Sequence, residues 1–88
     1  MPTYTRVFGT LSQADIADRI HALSHGGRVE VLLLGREDTL RRRLRGITDK
    51  GTEVMIALDR SEQLTDGAVL SLDPEKAIVV RMHEERWL

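Results

Sequence analysis

The sequence predicts a small α+β domain with about six short, mostly antiparallel strands and one helix. Apolar residues recur at helical spacing in one segment, residues 12–25, and elsewhere they occur in short runs that suit strands. Asp, Gly and Pro residues that favour turns separate these runs at close spacing. A chain of 88 residues is enough for one domain. We assign residues 1–82 to this domain and residues 83–88 to a charged tail or the start of a linker.

The predicted helix is bounded at both ends by residues that favour helix termini. Ser12 is expected to be the N-cap, and Asp15 three positions later makes an acidic variant of the capping box. Gly26 and Gly27 are expected to end the helix after His25, because Gly readily adopts the left-handed conformation found at helix C-termini. One apolar stripe is predicted to face the core, formed by Ile16, Ile20 and Leu23.

Four strands are predicted outside the central hairpin. The first covers residues 4–8, and the second covers residues 28–34, where three consecutive leucines indicate burial on both faces. The other two cover residues 68–72 and 76–82, and each follows a turn that combines Asp with Gly or Pro.

A β-hairpin is predicted over residues 40–58. Its basic arm, residues 40–48, leads into a turn at residues 49–51, and residues 52–58 return. Asp49 can accept local backbone hydrogen bonds in this turn, and Gly51 permits positive φ without steric cost. In the return arm Val54, Ile56 and Leu58 share one face, which is the period of a half-buried strand.

Composition argues against several classes of function. The 13 basic and 14 acidic residues nearly balance, whereas a dedicated nucleic-acid binder is expected to be basic, so nucleic-acid binding is not expected. The absence of cysteine excludes disulfides and thiolate metal sites. No apolar run approaches the length of a membrane span, and the N-terminus lacks a signal-peptide pattern. We therefore expect a cytoplasmic domain that does not contact a membrane.

Arginines make the strongest charge cluster, at Arg41, Arg42, Arg43 and Arg45. A guanidinium group can bind a phosphate or a carboxylate through two parallel hydrogen bonds, which would suit an acidic partner. The alternative is a solvated strand face whose aliphatic arginine stems cover apolar surface. Charge runs of this kind favour the second interpretation, and contact with a partner protein is the main functional alternative.

Histidines provide the candidate metal ligands. His21 and His25 are four residues apart and project from one helix face, which is the spacing at which two imidazoles can chelate a divalent ion. Two ligands do not close a metal site, and His25 also suits the negative end of the helix dipole. His83 beside two glutamates is a further weak candidate. No nucleophile elbow or phosphate-binding glycine loop is present, so we expect no enzymatic activity.

Several short motifs follow one another in residues 40–81. These are an Arg-rich arm (Arg41, Arg43, Leu44, Arg45), a turn (Thr48, Asp49, Gly51), a Glu-Val pair (Glu53, Val54), Arg60, a second turn (Leu64, Asp66, Gly67) and a Val-rich last strand (Ile78, Val79, Val80). In their order and spacing these motifs resemble the N-terminal domain of the UreE family of urease accessory proteins, which are nickel metallochaperones.

The resemblance implies a partner- or peptide-binding domain that acts with the urease apoprotein and urease assembly proteins. Polar partner contacts are expected at Arg41, Arg43, Arg45 and Arg60. In the family, a second domain binds nickel through histidine and forms a homodimer. Its Gly-Asn-x-His motif is absent from this sequence, and the three histidines here do not match the family's ligand positions. We therefore expect no cofactor and a monomer for this chain.

Two other interpretations stay open. The chain could be a stand-alone protein-interaction module that has the same fold and no role in nickel delivery. It could also be a weak metal-binding domain that uses His21, His25 and His83.

Overall fold

Three layers of secondary structure make up residues 2–82, the part of the chain that the computed structural model describes. A four-stranded sheet lies between one helix and a three-stranded sheet. This arrangement confirms the α+β prediction, with seven strands in the described residues. In chain order the elements are β1 (Thr3–Tyr4), β2 (Gly9–Thr10), α1 (Ala14–His25), β3 (Val29–Leu34), a 3-10 turn (Asp38–Leu40), β4 (Arg43–Ile47), β5 (Glu53–Ala57), β6 (Ala68–Leu72) and β7 (Ala77–Met82).

Both sheets mix parallel and antiparallel neighbours. The three-stranded sheet has the order β1-β5-β4, and the four-stranded sheet has the order β2-β6-β7-β3. The pairs β4–β5, β2–β6 and β6–β7 are antiparallel, whereas β1–β5 and β3–β7 are parallel. Strand β4, which carries two of the clustered arginines, is therefore an edge strand.

The core consists of two clusters, one on each face of the four-stranded sheet. On β7, Ile78 and Val80 pack toward the three-stranded sheet, while Ala77 and Val79 pack toward α1. Both faces of β7 are buried over its first four residues because they lie in the middle layer, and residues 77–80 are accordingly a continuous apolar run. The predicted helix stripe and the predicted face of the hairpin supply most of the opposing side chains: Ile16, Ile20 and Leu23 from α1, and Val54, Ile56 and Leu58 from residues 54–58.

Helix α1 begins at Ala14, so the predicted N-cap at Ser12 is wrong. Gln13 occupies the N-cap position and makes no side-chain bond to the helix backbone. Its Oε1 instead accepts a hydrogen bond of 3.0 Å from the backbone N–H of Thr10, and the Ser12 hydroxyl is hydrogen-bonded to the Thr10 hydroxyl. Both side chains thus stabilise the turn before the helix. The predicted end at His25 is confirmed, and no helix within residues 2–82 is long and apolar enough to cross a membrane.

The single strand predicted over residues 4–8 is wrong, because the structure has two short strands in different sheets. Near β1, the N–H of Met55 donates to the C=O of Pro2 at 2.9 Å. Just before β2, the N–H of Phe8 donates to the C=O of Val69 at 2.8 Å. The chain crosses from one sheet to the other between these points, which accounts for the lack of regular alternation in this segment.

Burial on both faces of the leucine run in β3 is also wrong. Leu32 and Leu34 are buried between the sheets, but Leu33 is 59% exposed. Leu33 shares a face with Val29, which packs against the helix cluster, but it lies farther along an edge strand. The unexpected buried residue of β3 is Glu30, at 7% exposure.

Candidate partner-binding site

The predicted hairpin forms from β4 and β5, but its first arm is shorter than predicted, because residue 40 ends a 3-10 turn and β4 begins at Arg43. The strand carries Arg43 and Arg45, two of the four clustered arginines. Arg43 pairs with Ala57 and Arg45 with Met55 across the two strands. At the turn the N–H of Thr48 donates to the C=O of Thr52 at 2.9 Å, and the turn glycine, residue 51, has φ of +85°. The hairpin thus has the register that places its arginines at the edge of the three-stranded sheet.

Alternation along β4 separates its arginines from the core. Leu44 packs inward against the cluster between the sheets. Arg43, Arg45 and Ile47 are exposed on the outer face, where they lie opposite residues of β5. Two of the four clustered arginines therefore lie on a solvent-exposed strand face.

The backbone of β4 leaves one edge of the sheet without a neighbouring strand. The N–H of Leu58 donates to the C=O of Arg42 at 2.8 Å, which places the even-numbered residues of this strand toward β5. The backbone N–H and C=O groups of Arg43, Arg45 and Ile47 therefore point away from β5. No backbone bond from elsewhere in residues 2–82 occupies this edge, so another extended segment could pair with it.

The remaining arginines line a pocket next to β4. Arg41 and Arg42 precede the strand, and Arg60 lies in the loop after β5; together they surround a cavity of about 280 Å³. Glu62 adds one carboxylate to the lining, so positive charge is in excess. Leu40 lies in the same lining and is 79% exposed. An apolar side chain and guanidinium groups thus lie together at the start of the free edge.

The clustered arginines have no ionic partner in the described part of the chain. Elsewhere the arginine side chains of residues 6 and 81 lie 3.7 Å and 3.4 Å from the carboxylates of Asp59 and Asp66. By contrast, no salt bridge or side-chain hydrogen bond within residues 2–82 involves the guanidinium groups of Arg41, Arg42, Arg43, Arg45 or Arg60. Guanidinium is always charged in proteins and carries five donors, so these groups are available to an external acceptor.

A buried polar contact fixes the hairpin against the four-stranded sheet. The Thr48 hydroxyl donates to Oε1 of Glu30 at 2.6 Å. Hydrogen bonds from the Thr48 and Thr52 side chains lower the pKa of Glu30 below its ordinary value of 4.5, against the opposing effect of burial. Beside this contact the N–H of Val31 donates to Oδ1 of Asp49 at 2.8 Å, and the N–H of Asp49 donates to the C=O of Val31 at 2.9 Å. These bonds hold the hairpin, and with it β4 and its arginines, in place.

The contact between Thr48 and Glu30 was not predicted, although the sequence contains one signal for it. Glu30 interrupts an otherwise apolar strand, and a charged residue in such a position is seldom buried without a partner. The partner, Thr48, is 18 residues away in the sequence. It could not be identified without knowing how the hairpin packs against β3.

The structure brings two of the three histidines together. The Nε2 atoms of His21 and His25 are 3.0 Å apart on the exposed side of α1, and their rings are nearly perpendicular. His83, the third candidate, lies outside the described residues. Among residues 2–82 there is no group of three or more His, Asp or Glu side chains placed to hold a metal ion.

Comparison with known families identifies the fold just described. A family model described as UreE urease accessory protein, N-terminal domain, matches residues 14–83. The chain belongs to the UreE family. The matched segment includes α1, both arms of the hairpin and the last strand. It is longer than residues 40–81, the segment that carries the motif resemblance.

Several UreE proteins are similar to this chain. It is 47% identical to urease accessory protein UreE 1 of Pseudomonas syringae pv. syringae over 83 residues, which are 94% of this chain and 57% of that protein. The UreE proteins of Natronomonas pharaonis and Geobacillus kaustophilus are 41% and 37% identical over 66 and 60 residues. These matches cover 75% and 68% of this chain, and 30% and 40% of the two relatives. The chain thus spans a little over half the length of the Pseudomonas relative.

Two groups of UreE motif residues, those in the turns and the arginines, differ in their contacts on the fold. Those in the turns are needed for structure: Thr48 and Asp49 bind β3, Asp66 accepts a hydrogen bond from the N–H of Met82 at 2.9 Å, and Gly67 has φ of +86°. The arginines of the motifs have no comparable intramolecular contact within residues 2–82. Stability accounts for the turns, whereas the arginines are the motif residues left for another role.

Proposed function

We propose that this domain is the partner-binding part of a urease accessory protein, and that it contacts the urease apoprotein and urease assembly proteins during urease maturation. Membership of the UreE family supports the biological setting. The observation that carries the proposal is the set of exposed arginines without ionic partners at one edge of the hairpin. Arg41, Arg43, Arg45 and Arg60 are the proposed polar contacts.

The chemistry of this surface favours an acidic, extended partner segment. Carboxylates of the partner would accept bidentate hydrogen bonds from the pocket arginines Arg41 and Arg60. An apolar partner residue would pack on Leu40, since this contact would remove the exposed apolar surface of Leu40 from water. The free edge of β4 could then accept the partner backbone as an added strand, with Arg43 and Arg45 flanking it.

Nickel delivery is the second part of the proposal, and we assign nickel ligation to the longer proteins of the family. This assignment rests on the resemblance, which implies a nickel ligand in a Gly-Asn-x-His motif, and no such motif occurs in the 88 residues. A second domain of the longer proteins would bind nickel and form the homodimer. The domain described here would be a cytoplasmic monomer that needs no cofactor and catalyses no reaction.

The arginine surface is formed by Arg41, Arg43, Arg45 and Arg60. Charge reversal of this surface is expected to weaken partner binding. Arg41→Glu combined with Arg43→Glu should weaken association with the urease apoprotein–assembly protein complex by at least about tenfold, or about 1.4 kcal/mol. The loss arises because favourable contacts with partner carboxylates become repulsive. Affinity can be measured by surface plasmon resonance, and the effect should shrink at high salt as the charges are screened.

The matched control reverses two exposed arginines outside this surface, Arg19 on α1 and Arg28 after it. Both double variants change the net charge equally, so an effect specific to the arginine surface should be absent from the control. Circular dichroism should show that both variants stay folded, because none of the four side chains is buried. Equal losses in the two variants, or no loss in the first, would rule out the assignment.

A further inference from the structure

The last two turns of α1 present a pair of imidazoles to solvent. His21 and His25 are both exposed, and neither belongs to the core cluster formed by the opposite side of the helix. Their Nε2 atoms are 3.0 Å apart and their ring centroids 4.5 Å apart. A hydrogen bond at this distance requires one Nε2 to carry a proton and the other to accept it. The fold thus already holds two nitrogen ligands side by side.

We propose that His21 and His25 form a two-imidazole binding site for a divalent late first-row metal ion such as Cu²⁺, Ni²⁺ or Zn²⁺. Two nitrogens that each lie about 2.0–2.1 Å from one ion are about 2.8–3.4 Å apart when they occupy adjacent coordination positions. The observed separation lies in this range. The ion would replace the hydrogen bond once both rings turn so that their Nε2 lone pairs point at the ion and not along the line between the two nitrogens. Imidazole is a preferred ligand for these metals.

The location on the helix also favours a cation. His25 is in the last turn of α1, where the aligned backbone dipoles make the helix end electrostatically negative. Asp18 is exposed three residues before His21 and adds negative charge on the same side of the helix. Both features favour a bound dication.

The site would be open, because two side chains leave the other coordination positions of the ion to water or to an external ligand. Among the described residues no third His, Asp or Glu completes a ligand set with this pair. A structural metal site is normally closed by four protein ligands, whereas an open site can exchange its ion. We therefore assign this pair to exchangeable metal binding and not to stabilisation of the fold.

This site is separate from the arginine surface. Helix α1 packs on one face of the four-stranded sheet, and the three-stranded sheet, which contains β4, packs on the other face. Metal binding by the histidine pair therefore does not depend on the proposed partner contacts, and either proposal can fail while the other stands.

Isothermal titration calorimetry with Cu²⁺ and with Ni²⁺, in a buffer that does not bind metals, tests the site. The chain should bind one ion at this site, with Cu²⁺ bound more tightly than Ni²⁺, as the Irving–Williams order requires. His21→Ala and His25→Ala should each weaken binding by at least about tenfold, since each leaves a single imidazole. Saturating Ni²⁺ should also raise the melting temperature of the unaltered chain and of neither variant, because an ion that binds only the folded pair shifts the folding equilibrium by mass action.

The matched control is His83→Ala, which removes a histidine outside the pair and should leave both readouts unchanged. Three results would overturn the proposal. These are no detectable Cu²⁺ or Ni²⁺ binding by the unaltered chain, undiminished affinity in His21→Ala or His25→Ala, and loss of binding in His83→Ala equal to that in the other two.

Discussion

Leu32→Ala is expected to lower the free energy of unfolding by about 2–5 kcal/mol. Leu32 is 1% exposed at the centre of the core between the two sheets, so its truncation leaves a cavity that the surrounding strands can fill only in part. Urea denaturation followed by circular dichroism measures the change. The neighbouring Leu33→Ala is the matched control and should change stability by about 0.5 kcal/mol or less, because Leu33 is largely exposed.

Gly46 in β4 allows a sharper test of the same contact. A Cβ added at Gly46 would lie 2.6 Å from Cδ1 of Leu32, so Leu32 packs directly over the glycine backbone. Gly46→Ala should therefore be destabilising in the unaltered chain and less so in the Leu32→Ala background, where the new methyl group enters the cavity. Additive effects of the two substitutions, or equal effects of Leu32→Ala and Leu33→Ala, would contradict this description of the core.

Thr48→Val is expected to lower the free energy of unfolding by about 1–3 kcal/mol near neutral pH. The substitution preserves the shape of the side chain but removes the hydroxyl that donates to the buried carboxylate of Glu30. The hydrogen bonds to Glu30 lower its folded-state pKa below 4.5, so the stabilisation is present above that pH and is lost as the pH falls through the folded-state pKa. The stability difference between Thr48→Val and the unaltered chain should therefore shrink in acid.

Two variants separate this contact from a general effect of acid. Thr3→Val removes an exposed hydroxyl from β1 and should alter stability little at any pH. Glu30→Gln removes the titrating group and should reduce the dependence of stability on pH as the pH falls below 4.5. A Thr48→Val deficit that is constant over this pH range would show that the hydroxyl does not act through ionised Glu30.

The sequence was sufficient where local chemistry and periodicity agree. The hairpin was predicted because Asp49 and Gly51 specify a turn and the alternation of Val54 and Ile56 specifies the buried face. The helix stripe at Ile16 and Ile20 followed from helical spacing in the same way. In each case the pattern lies within a few residues, so no knowledge of the tertiary arrangement was needed.

The predictions failed where burial or a contact depends on how the helix and the two sheets pack together. The leucine run of β3 reads as buried on both faces, but whether Leu33 is covered depends on how far α1 extends over an edge strand. Residues 4–8 read as one strand because nothing local indicates that the chain changes sheets there. The carboxylate of Glu30 is stabilised by a hydroxyl from the hairpin turn, and that proximity arises only when the sheets pack.

The candidate site shows the same division. Arg41, Arg43, Arg45 and Arg60 were predicted from charge and motif position, and the structure places all four at the surface. Their separation into an outer face and a pocket depends on where β4 begins, which the sequence left open. The exposed Leu40 and the free backbone edge of β4 were not predicted, because both follow from the position of β4 at the sheet edge.

Hydrogen exchange at single-residue resolution, measured by NMR with and without the urease apoprotein–assembly protein complex, tests the partner-binding claim most directly. In the free domain the amides of Arg43, Arg45 and Ile47 should exchange quickly, while those of Leu44 and Gly46 are already bonded to β5. Binding should slow exchange at the three odd-numbered residues and in the pocket segments 40–42 and 60–64, and leave α1 unchanged. Protection confined to α1, with exchange along β4 unaltered in the complex, would contradict the account.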